Sequence, residues 1–169
     1  MSVRRISLLC VPLLLQACAT LSFTPAEYPL RDGLIPPMDV AGTVSISNAQ
    51  TSSDPQIVMS GSGIKYQSDY HKVTEVMVQQ ANKELHKAAR AHDGSDKSIA
   101  LKVTYIQSDY VAFYYNSKIT FDATLGDGNV VSMTVPHSSG SPVQDIDGCI
   151  AEGVMKLLND PQLRAYLAK

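Results

Sequence analysis

The sequence predicts an α+β fold: a two-layer sandwich in which a mostly antiparallel sheet of four or five strands carries two main helices on one face. Three features lead there. Apolar residues alternate through Ile99–Tyr105, Ile119–Leu125 and Val131–Val135, the period of half-buried strands. Two stretches instead repeat at three and four residues: Val73, Met77, Ala81, Leu85 and Ala88, then Ile146, Ile150, Val154 and Leu157. Gly126-Asp127-Gly128-Asn129 separates the last two strands, and glycine takes the positive φ of a tight hairpin without steric cost.

The remaining elements follow in order. Val40, Gly42, Val44 and Ile46 fall on alternate positions and read as a first strand, followed by polar loop. Ile57-Val58-Met59 reads as a short edge strand, ended by Ser60-Gly61-Ser62-Gly63. Ser68 or Asp69 caps the first helix, which runs for about 24 residues until His92-Asp93-Gly94 closes it. Ser141-Pro142-Val143-Gln144 has the form of a capping box with Pro at the first helical position. Asp160-Pro161 restarts a short terminal helix carrying Leu163, Tyr166 and Leu167.

Composition narrows the function classes. With 169 residues, 44% apolar and 18% charged, the chain suits one globular domain. A net charge of −2 offers no basic surface for nucleic acid. Of three Cys, two precede residue 20, too few elsewhere for a disulfide framework or a zinc knuckle. Cys149 is then the lone thiol of the folded body, and a buried, inert role suits it.

The first eighteen residues carry the most specific signal. Arg4 and Arg5 precede an apolar run from Ile6 to Leu15. Ten helical residues reach about 15 Å, half of a roughly 30 Å hydrocarbon core, so the run suits a signal sequence and not a membrane span. Leu15-Gln16-Ala17-Cys18 follows and resembles the lipobox of bacterial lipoproteins. That resemblance implies cleavage between Ala17 and Cys18, diacylglyceration of the Cys18 thiol and acylation of the new amino terminus. Ala19, which is not the Asp that retains many such proteins at the inner membrane, implies the periplasmic leaflet of the outer membrane. The chain then divides into a signal peptide at 1–17, a lipidated, Pro-rich tether at 18–38 and one α+β domain at 39–169. Free, the tether would reach at most about 60 Å; docking of Tyr28, Leu30, Leu34 and Ile35 on the domain would shorten that reach.

No local motif carries chemistry. Asp145-Ile146-Asp147-Gly148 imitates a calcium loop, but its first and twelfth positions fall on Val143 and Val154, and the bidentate Glu is missing. Acidic residues at a helix start explain the same pattern. His71 with Glu75, or Asn82 with His86, supplies two ligands where zinc needs three or four. Neither Ser60–Gly63 nor Ser138–Ser141 is a Gly-x-Ser-x-Gly elbow or a phosphate loop. No catalytic residue, metal or cofactor is therefore assigned. The surface candidate is an aromatic cluster, Tyr105, Tyr110, Phe113, Tyr114 and Tyr115, with imperfect alternation, so that some rings must point away from the helices. Tyr110, Phe113, Tyr114 and Tyr115 are the candidate partner contact; packing over the sheet's outer face is the alternative.

The stretch Asn116–Asn129, then a strand, a polar loop and the helix Ile146–Leu158 ending at Asn159-Asp160, resembles the YajG-type small lipoproteins of Gram-negative envelopes. With the lipobox this covers about half of the chain. The same strand–helix order is similar to the lipoprotein partner of the lipopolysaccharide-inserting barrel, although the Gly-Trp after the lipid Cys there has no counterpart here. The resemblance implies a non-enzymatic envelope lipoprotein, anchored by lipid and acting through an envelope protein partner. The expectation is a binding or scaffolding module for an envelope assembly or transport system. An envelope hydrolase with a site assembled from distant His, Ser and Asp residues is one alternative, requiring a deep pocket that gathers His137 or His71 with a Ser and a carboxylate. A small-ligand or glycan binder is the other, requiring a concave aromatic pocket.

Overall fold

The computed structural model describes residues 19–61 and 63–169. The signal peptide at 1–17, with Ala17, and the lipidation candidate Cys18 lie outside the described residues.

The core of the fold is the β-meander the alternating segments predict. Strand β7 (Lys97–Val111) pairs antiparallel with β8 (Tyr114–Leu125), and β8 with β9 (Val130–Ser139). The β8–β9 turn is the expected glycine hairpin, where Gly128 has φ +87° and Leu125 N–H donates to Asn129 O at 2.8 Å. Helix α1 (Tyr70–Ala88) packs on β7 and on β3 (Val44–Asn48), helix α2 (Pro142–Leu158) on β9 and β8, and the two helices on each other. Their stripes meet the inward strand residues Ile99, Leu101, Val103, Ile119, Phe121 and Leu125, all buried. Helix α3 (Pro161–Leu167) ends the chain, with Asp160 accepting from the N–H groups of Gln162 and Leu163.

The fold is α+β as the sequence implies, but the sheet departs from four or five mostly antiparallel strands. Among the described residues it has seven, in mixed order: β1 (Ala19–Ser22), β5 (Ile64–Asp69), β4 (Pro55–Gly61), β7, β8 and β9 in sequence across it, with β3 (Val44–Asn48) also on β7. The pairs β1–β5, β3–β7 and β4–β7 are parallel. Fifteen residues of β7 are long enough for β3 to occupy one half of its edge and β4 the other. Strand β4 is thus interior and not an edge. Parallel partners are joined by crossovers and share no turn, so no local pattern announces them.

Two further differences have one cause. The stretch from Val40 to Ile46 is two strands, because Gly42 at φ +71° turns the chain between β2 (Met38–Ala41) and β3. Strand β2 pairs parallel with β6 (Ala89–His92), residues the helical period assigns to the end of α1. Helix α1 therefore stops after 19 residues, short of His92-Asp93-Gly94. At its start Asp69 accepts the Lys72 N–H at 2.7 Å, as a cap should. Ser141 caps α2 by position only: its side chain makes no capping hydrogen bond.

Residues 19–37 lie along the domain, the docked arrangement. Phe23 is buried and its N–H donates to Gln67 O at 2.7 Å. Ala26 N–H donates to Asp147 Oδ1 at 3.0 Å, and Gln80 Nε2 to Tyr28 O at 2.6 Å. Glu27 pairs with Lys83, and Arg164 reaches the carbonyl of Pro36 at 2.8 Å. Ile35 packs on the core, whereas Tyr28 and Leu34 stay exposed.

Candidate functional site

The aromatic cluster owes its arrangement to a bulge. Between Val103 and Tyr105 the β7–β8 register slips, leaving Thr104 without a partner. Before the slip the odd residues of β7 face the helices; beyond it the even ones, Ile106 and Ser108, do. Tyr105 is thereby thrown onto the outer face, where Lys118 Nζ sits 5.3 Å from its ring centroid. This is the physical source of the imperfect alternation.

The rings beyond the bulge gather at one end of the sheet. Val111 pairs with Tyr114, so Ala112 and Phe113 form a two-residue loop at the hairpin tip. Ala112 takes φ +57°, which costs an L-residue about 1–2 kcal/mol. Phe113 is 93% exposed and Tyr110 and Tyr114 are each 45% exposed. Tyr115 is half-buried against the core, with its ring centroid 5.2 Å from that of Tyr110. Gly61 leaves room for this pair: a Cβ there would stand 3.0 Å from Tyr110 Cβ. Of the four candidate contacts, Tyr110, Phe113 and Tyr114 are thus presented to solvent, while Tyr115 supports them from the core side.

Register places more apolar surface beside them. Ala19 pairs with Ile64, Ile64 with Gly61, Tyr110 with Tyr115 and Tyr115 with Ser139. With Gly61 packed on Tyr110, these residues make the last row of the sheet across six strands. Ile64 and Leu21 are exposed on its β1–β5 side. Neither drew attention in the sequence, because the strands that bring them here are parallel or remote in the chain.

Beneath that end lies a buried polar cluster that no sequence motif marks. Ser108, Ser117 and His137 are neighbours across β7, β8 and β9, and the start of α2 covers them. Ser108 Oγ donates to Asp145 Oδ2 at 2.5 Å, and Ser117 Oγ to Asp145 O at 3.2 Å. Burial pushes the Asp145 carboxyl above its ordinary range, against the opposing pull of the Ser108 and Ser117 hydroxyls. Burial likewise raises Asp147, which holds the Ala26 N–H. His137 Nδ1 stands 3.5 Å from Glu152 Oε2, its ring over Gly148. Both hydroxyls are buried and committed to Asp145, and among the described residues no hydrogen bond joins either one to His137. A serine nucleophile needs that bond and access to substrate.

The remaining candidates stay apart. His71 and Glu75 are both met by the Asn48 amide, through the His71 carbonyl and Glu75 Oε2. Asn82 donates to Val78 O, and His86 is exposed. Asp145 and Asp147 face different partners, Ser108 and Ala26. Among the described residues no group of three or more His, Cys, Asp or Glu could hold a metal ion. Cys149 is buried, its thiol pushed up to about 12 chiefly by desolvation.

No described helix is long and apolar enough to cross a membrane. No protein-family model and no curated protein matches the sequence. Among solved structures, the crystal structure of protein XCC0632 from Xanthomonas campestris, of family DUF330, aligns at a TM-score of 0.50 with 15% identity. The alignment covers 82% of this chain and 92% of that one. At that identity the likeness is one of fold: the mixed sheet with its packed helices is an arrangement this chain shares with a bacterial DUF330 protein.

Proposed function

We propose that this protein is a lipid-anchored lipoprotein of the outer membrane, facing the periplasm, which serves an envelope assembly or transport system as a non-catalytic binding or scaffolding module. Cleavage before Cys18 and acylation of its thiol supply the anchor, and the kinship with YajG-type lipoproteins belongs to this reading. The observation that carries it is the place of β1. The lipobox ends at Cys18, and the next residue already pairs with Ile64 in the last row of the sheet. A lipid on residue 18 therefore leaves the folded body from the same row as Tyr110, three strands away, at the edge that carries Phe113 and Tyr114, the exposed aromatic end that is the module's contact surface.

The test is processing and fractionation in a Gram-negative host. The wild-type protein is expected in outer-membrane fractions, with an intact mass that includes the acyl chains. Cys18→Ala is expected to leave an unprocessed precursor or a soluble protein. Mature protein that still sediments with membranes after this substitution would refute the anchor.

A further inference from the structure

We propose that the β7–β8 hairpin tip is a second membrane contact: Phe113 and its flanking tyrosines enter the phospholipid interface beside the lipid on Cys18, and so orient the domain on the bilayer. This rests on the lipoprotein reading above and names the partner of the same aromatic end.

The argument begins with register. The terminal row Ala19, Ile64, Gly61, Tyr110, Tyr115 and Ser139 is one edge of the molecule, and the chain's bond to Cys18 starts in it. The parallel β1–β5 pairing pins that bond in place, so acyl chains on residue 18 draw this edge to the membrane. Strands advance about 3.3 Å per residue; the Val111–Tyr114 pair stands one step past the row and the Ala112–Phe113 turn a second, so Phe113 projects about 6–7 Å beyond it. That matches the roughly 5–10 Å depth at which interfacial side chains lie.

Charge supports the same partner. Although 18% of the chain is Asp, Glu, Lys or Arg, residues 19–22, 60–64, 110–117 and 138–144, which supply this edge, contain none. The first charges, Lys65 and Asp109, stand one row back, flanking Ser60. A charge-free rim with one projecting Phe between tyrosines has the composition of an interfacial aromatic belt. A stable protein interface buries about 800 Å² on each side. A bilayer accepts a few side chains without that demand. The lipid then supplies attachment, and the tip removes the rotational freedom that a single attachment point leaves.

The chain has no Trp, so Phe113→Trp makes a single reporter at a site that touches little. Lys169→Trp, near Asp127 at the opposite end of the sheet, is the control. Each purified lipoprotein is reconstituted into phosphatidylethanolamine–phosphatidylglycerol vesicles, with and without brominated acyl chains. For Phe113→Trp, emission is expected to shift to the blue and to be largely lost in brominated vesicles. Lys169→Trp is expected to stay water-like and open to aqueous iodide. If the indole at position 113 is as accessible to iodide as that at 169, the proposal is overturned. It is equally overturned if position 113 is protected in native envelope membranes but not in protein-free vesicles, since its occupant is then a protein. Intact mass of the same samples reports the acyl chains separately: an unacylated protein defeats the lipoprotein reading, whereas an acylated one with a water-exposed tip defeats only the second contact.

Discussion

The Ser108 hydroxyl donates to Asp145 Oδ2 at 2.5 Å in a site where both side chains are buried and the second carboxylate oxygen has no partner among the described residues. Burial favours the protonated form of the acid, against the opposing pull of the Ser108 and Ser117 hydroxyls. The folded state thus keeps a proton that the unfolded chain releases near its ordinary value of 3.8. Stability from this group is full below that value and declines as pH rises through the higher folded value. In urea titrations across pH, Asp145→Asn should remove part of that decline, and Asp147, also raised, should account for more of it. Ser108→Ala should cost about 1–3 kcal/mol at neutral pH by stripping the carboxylate of its partner. An unchanged urea midpoint for Ser108→Ala would refute the energetic role of this bond.

Gly42 should be intolerant of a side chain. It sits at φ +71°, and a Cβ there would collide with the backbone carbonyl of Ser95. The positive φ and the overpacking together predict a loss of about 2–4 kcal/mol for Gly42→Ala. Thermal and urea unfolding of the variant measure it. A loss below about 0.5 kcal/mol, the range of neutral surface changes, would show that the β2–β3 corner is not rigid.

Cys149 should be silent toward thiol reagents in the native state. With its thiol pushed up to about 12 and its sulfur buried, fewer than about one molecule in a thousand is thiolate at pH 8. In a Cys10→Ala, Cys18→Ala double variant, where it is the lone thiol, a chromogenic disulfide should label it only after denaturant unfolds the chain. Stoichiometric labelling within the mixing time under native conditions would contradict this burial.

Phe23 should contribute like a core residue even though it lies in the Pro-rich segment. It is buried beside β5 and its N–H holds Gln67 O. Phe23→Ala should therefore cost about 3 kcal/mol or more in urea unfolding. A residue in a free tether would cost almost nothing, so the same measurement separates a docked segment from a loose one.

Much of this fold can be read from local pattern. The β8–β9 hairpin follows from alternating strands around glycines, and α2 from its stripe of Ile146, Ile150, Val154 and Leu157, each a signal between residues close in the chain. The parallel partners of β7 could not be read so, because Ile46 meets Ile99 and Met59 meets Ser108 across crossovers of about fifty residues. The aromatic end was visible as a cluster in sequence, yet the side each ring takes depends on one unpaired residue, Thr104, in a bulge. Leu21 and Ile64 join that end only through the β1–β5 pairing. The Ser108–Asp145–His137 cluster had no local mark at all, since hydrogen-bonding geometry between remote residues leaves no period.

By itself, then, the sequence determined the elements whose hydrophobic period and turn residues are local: two principal helices and the antiparallel meander. The tertiary structure decided what depends on distant segments meeting: seven strands in mixed order, an N-terminal segment laid along the domain and a charge-free aromatic edge where the described chain begins. The physical reason is that periodicity reports which face of an element is buried, whereas register and crossover report what it is buried against.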